Sequence, residues 1–180
     1  MSIRESQLAI VTLVLSSSAV FAANGDPERA VKEQARAACD AFVHGDLDKF
    51  ASLTNPKLVQ VMGGRERMIE VLKSGQKEMN ARGMRLLSAS LQPQVELAQG
   101  GEEWFAVVPY HLEMGVPAGR ALVKTWLLGI SADQGKTWTF VDGGRLDADG
   151  VKRLFPQFPT KLPLPARQQT KVERKGGGER

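Results

Sequence analysis

The chain has 180 residues, a formal net charge of +4, one cysteine and two histidines. A lone cysteine excludes an internal disulfide framework, and two histidines as far apart as His44 and His111 do not make a metal centre. Neither a G-x-S-x-G elbow nor a phosphate-binding loop occurs, so nothing points to those hydrolase or nucleotide chemistries, and no cofactor is expected.

The first residues read as an address. After Arg4, an apolar run from Leu8 to Phe21 is shorter than the roughly 18 residues a membrane span needs and resembles a signal peptide. Val20-Phe21-Ala22 puts the expected cut after Ala22, so residues 1–22 are assigned as signal peptide, with a periplasmic or secreted destination and no membrane span once it is removed. Glu5, acidic where the leader should be basic, keeps an uncleaved N-terminal anchor as the alternative.

The remaining chain is long enough for one domain with a substantial core, placed at 23–146. Asp26-Pro27-Glu28 has the grammar of a helix start, and Val31, Ala35, Ala38, Cys39 and Phe42 make one apolar stripe that Gly45 terminates. Cys39 reads as a small buried hydrophobe. Asp46 caps a short second helix, Asn55-Pro56 stops it, and Lys57 to Met62 alternates like a brief strand. Gly63-Gly64 leads into a third helix carrying Met68, Ile69, Leu72, Gln76 and Met79, which ends at Gly83.

From there the apolar period becomes two. Strands are expected over residues 84–97 with a break at Pro93, then 103–112, 120–131 and 137–142, joined by glycine-containing turns. The last turn, Ser131-Ala-Asp-Gln-Gly-Lys-Thr-Trp138, spells S-x-D-x-G-x-T-W, with Asp133 and Gly135 supplying the turn chemistry. Helices first and a meander afterwards means α+β, with the helices on one face of a curved antiparallel sheet.

A helical turn from Asp147 to Phe155 follows, and Pro156, Pro159, Pro163 and Pro165 then punctuate a strap, residues 147–165 in all, expected to lie on the domain. Residues 166–180 hold five basic side chains against two acidic ones, which leaves the folded part near neutral. This tail is expected to be disordered and solvated, with no specific nucleic-acid partner.

Three N-terminal helices, a short strand between the second and third, and a curved meander resemble the cystatin-like cone fold shared by nuclear transport factor two, ketosteroid isomerase and the polyketide-cyclase group. Asn55-Pro56 through Met62-Gly63-Gly64-Arg65-Glu66 and the strand Lys136 to Asp142 carry the likeness, which covers about residues 26–144 and is similar to secreted bacterial members. Ketosteroid isomerase implies a Tyr and two carboxyl groups facing an apolar cone. Tyr110 and Asp142 are counterparts by residue type and strand location, but no second acid falls on an inward strand position. The S-x-D-x-G-x-T-W hairpin also resembles the Asp-box of sialidases, where it is a structural turn; here it occurs once, in a chain too short for a propeller.

Pairing Ser131 with Thr137 sets Ile130 opposite Trp138, Leu128 opposite Phe140 and Trp126 opposite Asp142, all beneath the helices, and Lys124 follows Trp126 inward. Trp104, Ala106, Val108, Tyr110 and Leu112 form the inward alternation of the preceding strand. Tyr110, Lys124, Trp126 and Asp142 are therefore the candidate ligand-binding group, with Asp142 the base if the protein is an enzyme. The alternative is that Lys124 and Asp142 sit at strand ends and reach solvent.

The expected function is binding of a small apolar or anionic ligand or of a partner, without catalysis. Two alternatives stand beside it: an isomerase or lyase of the ketosteroid-isomerase or polyketide-cyclase type, and a homodimerisation module whose outer sheet face presents Phe105, Val107, Thr125 and Leu127.

Overall fold

A computed structural model of the protein describes residues 26–165 and 169–174. The expected signal peptide and its cleavage site lie outside the described residues. No helix among the described residues is long and apolar enough to cross a membrane.

Four helices come first: α1 (Pro27–His44), α2 (Leu47–Leu53), α3 (Pro56–Val61) and α4 (Arg65–Ala81). The α1 helix starts where the sequence says it should, with the Glu28 N–H donating to Asp26 Oδ1 at 3.0 Å, and stops at Gly45, whose φ of 73° suits glycine. The segment expected as a brief strand is instead α3. Asn55 Oδ1 accepts the Lys57 N–H at 3.0 Å and Pro56 occupies the first turn, so a helix start overrides the alternation that follows it.

The sheet is antiparallel, curved and not closed. Its spine is the long pair β3 (Glu103–Val116) and β4 (Gly119–Ser131), registered from Trp104 opposite Ser131 to Val116 opposite Gly119. β1 (Arg85–Leu91) and β2 (Glu96–Gly100) share the free edge of β3, divided around Pro93 as expected. β5 (Thr139–Asp142) and β6 (Gln169–Arg174) share the other edge, along β4. The strand β6 corrects the expectation of a disordered tail: Thr170 to Glu173 bury no side chain, and backbone pairing with residues 119–124 of β4 holds them by satisfying an open strand edge. The rest of that tail lies outside the described residues.

Each sheet face has its own core. Val31, Ala35, Ala38 and Cys39 of α1 pack on Ala106, Val108, Tyr110, Val123, Leu127 and Phe140. On the opposite face Phe105, Val107, Trp126, Leu128 and Ile130 are covered by α5 (Ala148–Leu154) and by Phe155, Phe158 and Leu162 of the proline strap. The Phe105 ring meets Phe155 and Phe158 edge-on, at centroid distances of 6.0 and 5.4 Å. The strap thus lies on the domain as its spacing implied. It also removes the expected dimer patch: Phe105 and Val107 are buried beneath it, whereas Thr125 and Leu127 belong to the helix-facing side.

The S-x-D-x-G-x-T-W turn is built around Asp133. Its carboxylate accepts the Lys136 N–H at 3.1 Å, the Thr137 N–H at 2.9 Å and the Thr137 hydroxyl at 2.6 Å, and the Ser131 hydroxyl donates to it at 2.8 Å. The loop holds one residue more than the sequence reading gave it, because Trp138 leaves the ladder and donates its N–H to Gln34 Oε1 of α1 at 2.8 Å. The register therefore moves by one: Ile130 faces Thr139, Gly129 faces Phe140 and Leu127 faces Asp142. Gly129 is the physical reason. A β-carbon there would lie 3.2–3.3 Å from Trp138, Val31 and Phe140, so the two rings occupy the space that its missing side chain leaves.

Two glycines should respond oppositely to alanine. A β-carbon on Gly143 would fall 2.3 Å from the Trp126 ring, whereas Gly75 in α4 has nothing within 4 Å. Gly143→Ala should lower the stability measured by urea unfolding by about 1–3 kcal/mol, and Gly75→Ala should raise it by about 0.5–1 kcal/mol.

Burial pushes the Asp133 carboxyl up, but the Thr137, Ser131 and Lys136 bonds outweigh it and bring its pKa from 3.8 down to about 2. A depressed folded-state pKa contributes stability that is present above pH 3.8 and lost as the pH falls through about 2. Urea midpoints taken across this window should fall for the native protein and stay flatter for Asp133→Asn, which should also be less stable by about 2 kcal/mol near neutral pH.

Candidate functional site

A cavity of about 310 Å³ lies between the helices and the inner sheet face. Phe42, Phe50, Leu58, Met62, Met68 and Leu72 form its helical walls, while Ala89, Tyr110, Leu112, Leu127, Phe140 and Asp142 come from the strands. The tilted Phe42–Phe50 pair, 5.1 Å between centroids, holds the α1–α2 corner open over the cavity.

Tyr110 and Asp142 both line this cavity, as the sequence reading required of a pocket. Tyr110 sits on β3 opposite Thr125 and is 8% exposed. Its hydroxyl makes no hydrogen bond with a described residue, yet it is not among the sealed, partnerless side-chain atoms, which are Thr125 Oγ1 and Trp126 Nε1. It therefore opens on the cavity. Burial first, then the charges of Asp142 and Cys39, drive its ionisation far above the ordinary tyrosine range, so it stays a neutral donor at any physiological pH.

Asp142 ends β5 opposite Leu127 and stands at the exposed rim of the cavity. Its Oδ1 accepts the Gly144 N–H at 3.0 Å and so caps the 3₁₀ turn Gly143–Arg145, which fixes the carboxylate's direction. Cys39 of α1 adds a thiol to the wall; burial, and then Asp40, push its pKa up to about 12, leaving it protonated.

The other two candidates are not in the cavity. Trp126, 1% exposed, belongs to the opposite core, where it stacks against Gly143. Lys124 lies on that same opposite face and is exposed, level with His111 of β3 and Gln169 of β6. Both went astray through the one-residue register shift, since a slip of one turns every side chain of a strand to the other face. With Lys124 gone, no Lys, Arg or His is among the described lining residues. Sequence reasoning missed the helical walls; the signal for them was the apolar stripe of α4, richer than any core it could reach. Among the described residues no three His, Cys, Asp or Glu side chains converge as a metal site would need.

Because the Tyr110 hydroxyl has no hydrogen-bond partner among the described residues to lose, Tyr110→Phe should leave the urea-unfolding free energy within about 0.5 kcal/mol of the native value. A loss well beyond that would show that the hydroxyl holds the fold together.

No protein-family model and no curated protein matches this chain, so the chemistry of the cavity has to carry the functional reading.

Proposed function

We propose that the protein is a binding domain for a small, neutral, mostly apolar ligand bearing a hydroxyl group. The observation that carries this is Tyr110: a hydroxyl kept neutral and without a hydrogen-bond partner among the described residues, on the wall of an apolar cavity. Such a group donates to a ligand oxygen, and the Asp142 carboxylate at the rim accepts from a ligand O–H. An alcohol or phenol offers an oxygen to Tyr110 and an O–H toward Asp142, whose carboxylate keeps the bond from the Gly144 N–H. At about 30 Å³ for each water-sized group, a cavity of about 310 Å³ takes roughly ten non-hydrogen atoms, the size of two fused rings and not of a sterol.

Among the described lining residues no cation stands ready for an anionic ligand, which supports the neutral class over the anionic one considered from sequence. Isomerase chemistry of the ketosteroid type asks for a second acid beside the base, and Asp142 is the single carboxylate of the lining, so binding is the better supported reading. The cystatin-like cone family remains a proposal resting on the order of elements, and export to the periplasm or beyond rests on residues 1–22.

Three probes of one shape separate the readings in a thermal-shift assay: 2-naphthol, naphthalene and 2-naphthoate. At a hundredfold excess over Kd, 2-naphthol should raise Tm by about 5–10 °C. Naphthalene should do less and 2-naphthoate least, and Tyr110→Phe should reduce 2-naphthol to the naphthalene level. Equal stabilisation by 2-naphthoate, or none by any probe, would overturn the proposal.

A further inference from the structure

The cavity has one wall unlike the others. The α4 helix runs for 17 residues and buries a single side chain, Met68, and α3 buries none. Yet Leu58 and Met62 at one end and Met68 and Leu72 at the other close the space over Tyr110. The outward faces of these two helices are wet, with Val61 71% and Val71 45% exposed. By contrast α1, which forms the facing wall, buries Val31, Ala35, Ala38, Cys39 and Ala41.

The ends of this segment are firm and its joints are free. Before α3, Asn55 is fixed to β5: its N–H donates to the Phe140 carbonyl at 2.9 Å and its Nδ2 to Thr139 Oγ1 at 2.8 Å. Between the helices stand Gly63 and Gly64 with φ of 89° and 98°, and past α4 comes Gly83 with φ of 69°. One surface clasp ties the start of α4 to α2: Arg65 Nη2 donates to the Asp48 carbonyl at 2.9 Å and to Asp48 Oδ1 at 2.8 Å.

We propose that residues 56–81 form a lid over the cavity, hinged at Asn55 and at Gly83 and latched by Arg65 on Asp48. Opening breaks this latch together with the Lys57–Glu103 ion pair and the Lys57 contact with the Phe155 ring, and draws the partly buried Leu58 off the strap-side core, while the buried residues of both sheet cores stay in place. Such a motion occurs well below the free energy of global unfolding. As the way in for a ligand it rests on the binding reading above; as a motion of the fold it does not.

The chain carries its own reporter. Cys39 is its one cysteine, lies in the cavity wall and is 6% exposed. Labelling by N-ethylmaleimide at fixed pH should be slow in the native protein and should depend on urea far less steeply than global unfolding does. Arg65→Ala should speed it about two- to fivefold, the factor an exposed ion pair corresponds to. Phe158→Ala, which weakens the opposite core, should lower global stability and leave labelling in the absence of urea unchanged. A urea dependence equal to that of global unfolding, an Arg65→Ala rate equal to the native one, or acceleration by Phe158→Ala would each overturn the lid. Added 2-naphthol should slow labelling in the native protein. If it does not, while the urea and Arg65→Ala results stand, the lid survives and the ligand reading falls.

Discussion

Two aromatic rings over one glycine decide how this molecule is arranged. Trp138, Phe140 and Val31 of α1 close on Gly129, where a β-carbon would come within 3.2–3.3 Å of all three and oblige them to give way. That contact sets the register of β5 on β4, and Gln34 locks it from the helix side: it accepts the Trp138 N–H and donates its own Nε2 to the Lys136 carbonyl at 2.9 Å. Everything at the end of β5 inherits the choice. Asp142 falls beside Leu127 on the cavity side, and Trp126 is turned into the other core. Asn55 finds the Phe140 carbonyl and the Thr139 hydroxyl where it needs them to anchor the start of the lid.

The sheet is covered by its own chain on both faces, but by different means. On the strap side the cover is dense and aromatic, with Phe155 fully buried and Lys57 placed over its ring at 4.9 Å. On the helix side only α1 is packed to a similar depth; α3 and α4 arch over, and the arch encloses the cavity. A protein that closes one face tightly and bridges the other has confined its adjustable volume to one place. This follows from chain order: α3 and α4 are caught between the anchor at Asn55 and the first strand of the sheet, whereas the strap comes last and can settle on a finished surface.

Much of this was legible in the residues, and the misses have physical causes. The caps Asp26 and Gly45, the change of period after Gly83 and the break at Pro93 are local signals, and each falls where it was read. Tyr110 was placed correctly because the alternation of β3 needs no partner to be interpreted. Lys124 and Trp126 were placed through a pairing, and setting Ser131 opposite Thr137 missed that the rings of β5 close on the gap at Gly129. Phe140 and Asp142 were nonetheless read as inward, since the error lay in β4 alone. The α3 helix was hidden by an accidental alternation from Lys57 to Met62. For β6 no side-chain signal exists, because its attachment is made by backbone groups and not by burial.

Three polar atoms, each without a hydrogen-bond partner among the described residues, differ in what they can meet. Thr125 Oγ1 and Trp126 Nε1 are sealed away from water, so each costs stability, on the order of 1–3 kcal/mol for a dehydrated polar group, and can meet nothing from outside. They are by-products of filling the two faces of β4 with large or branched residues. Tyr110 is different, because its hydroxyl opens on a space that water or a ligand can occupy, and a phenylalanine would fill the same wall. On the proposed reading the ring serves the fold and the oxygen serves a ligand. A neutral donor in an apolar cavity discriminates more by polarity than by affinity: an occupant with no oxygen leaves the donor dry, and one with a full negative charge must shed its hydration for a single bond. Neutral hydroxylated molecules are then the class whose binding would lose least, selected through one hydroxyl that bonds no described residue.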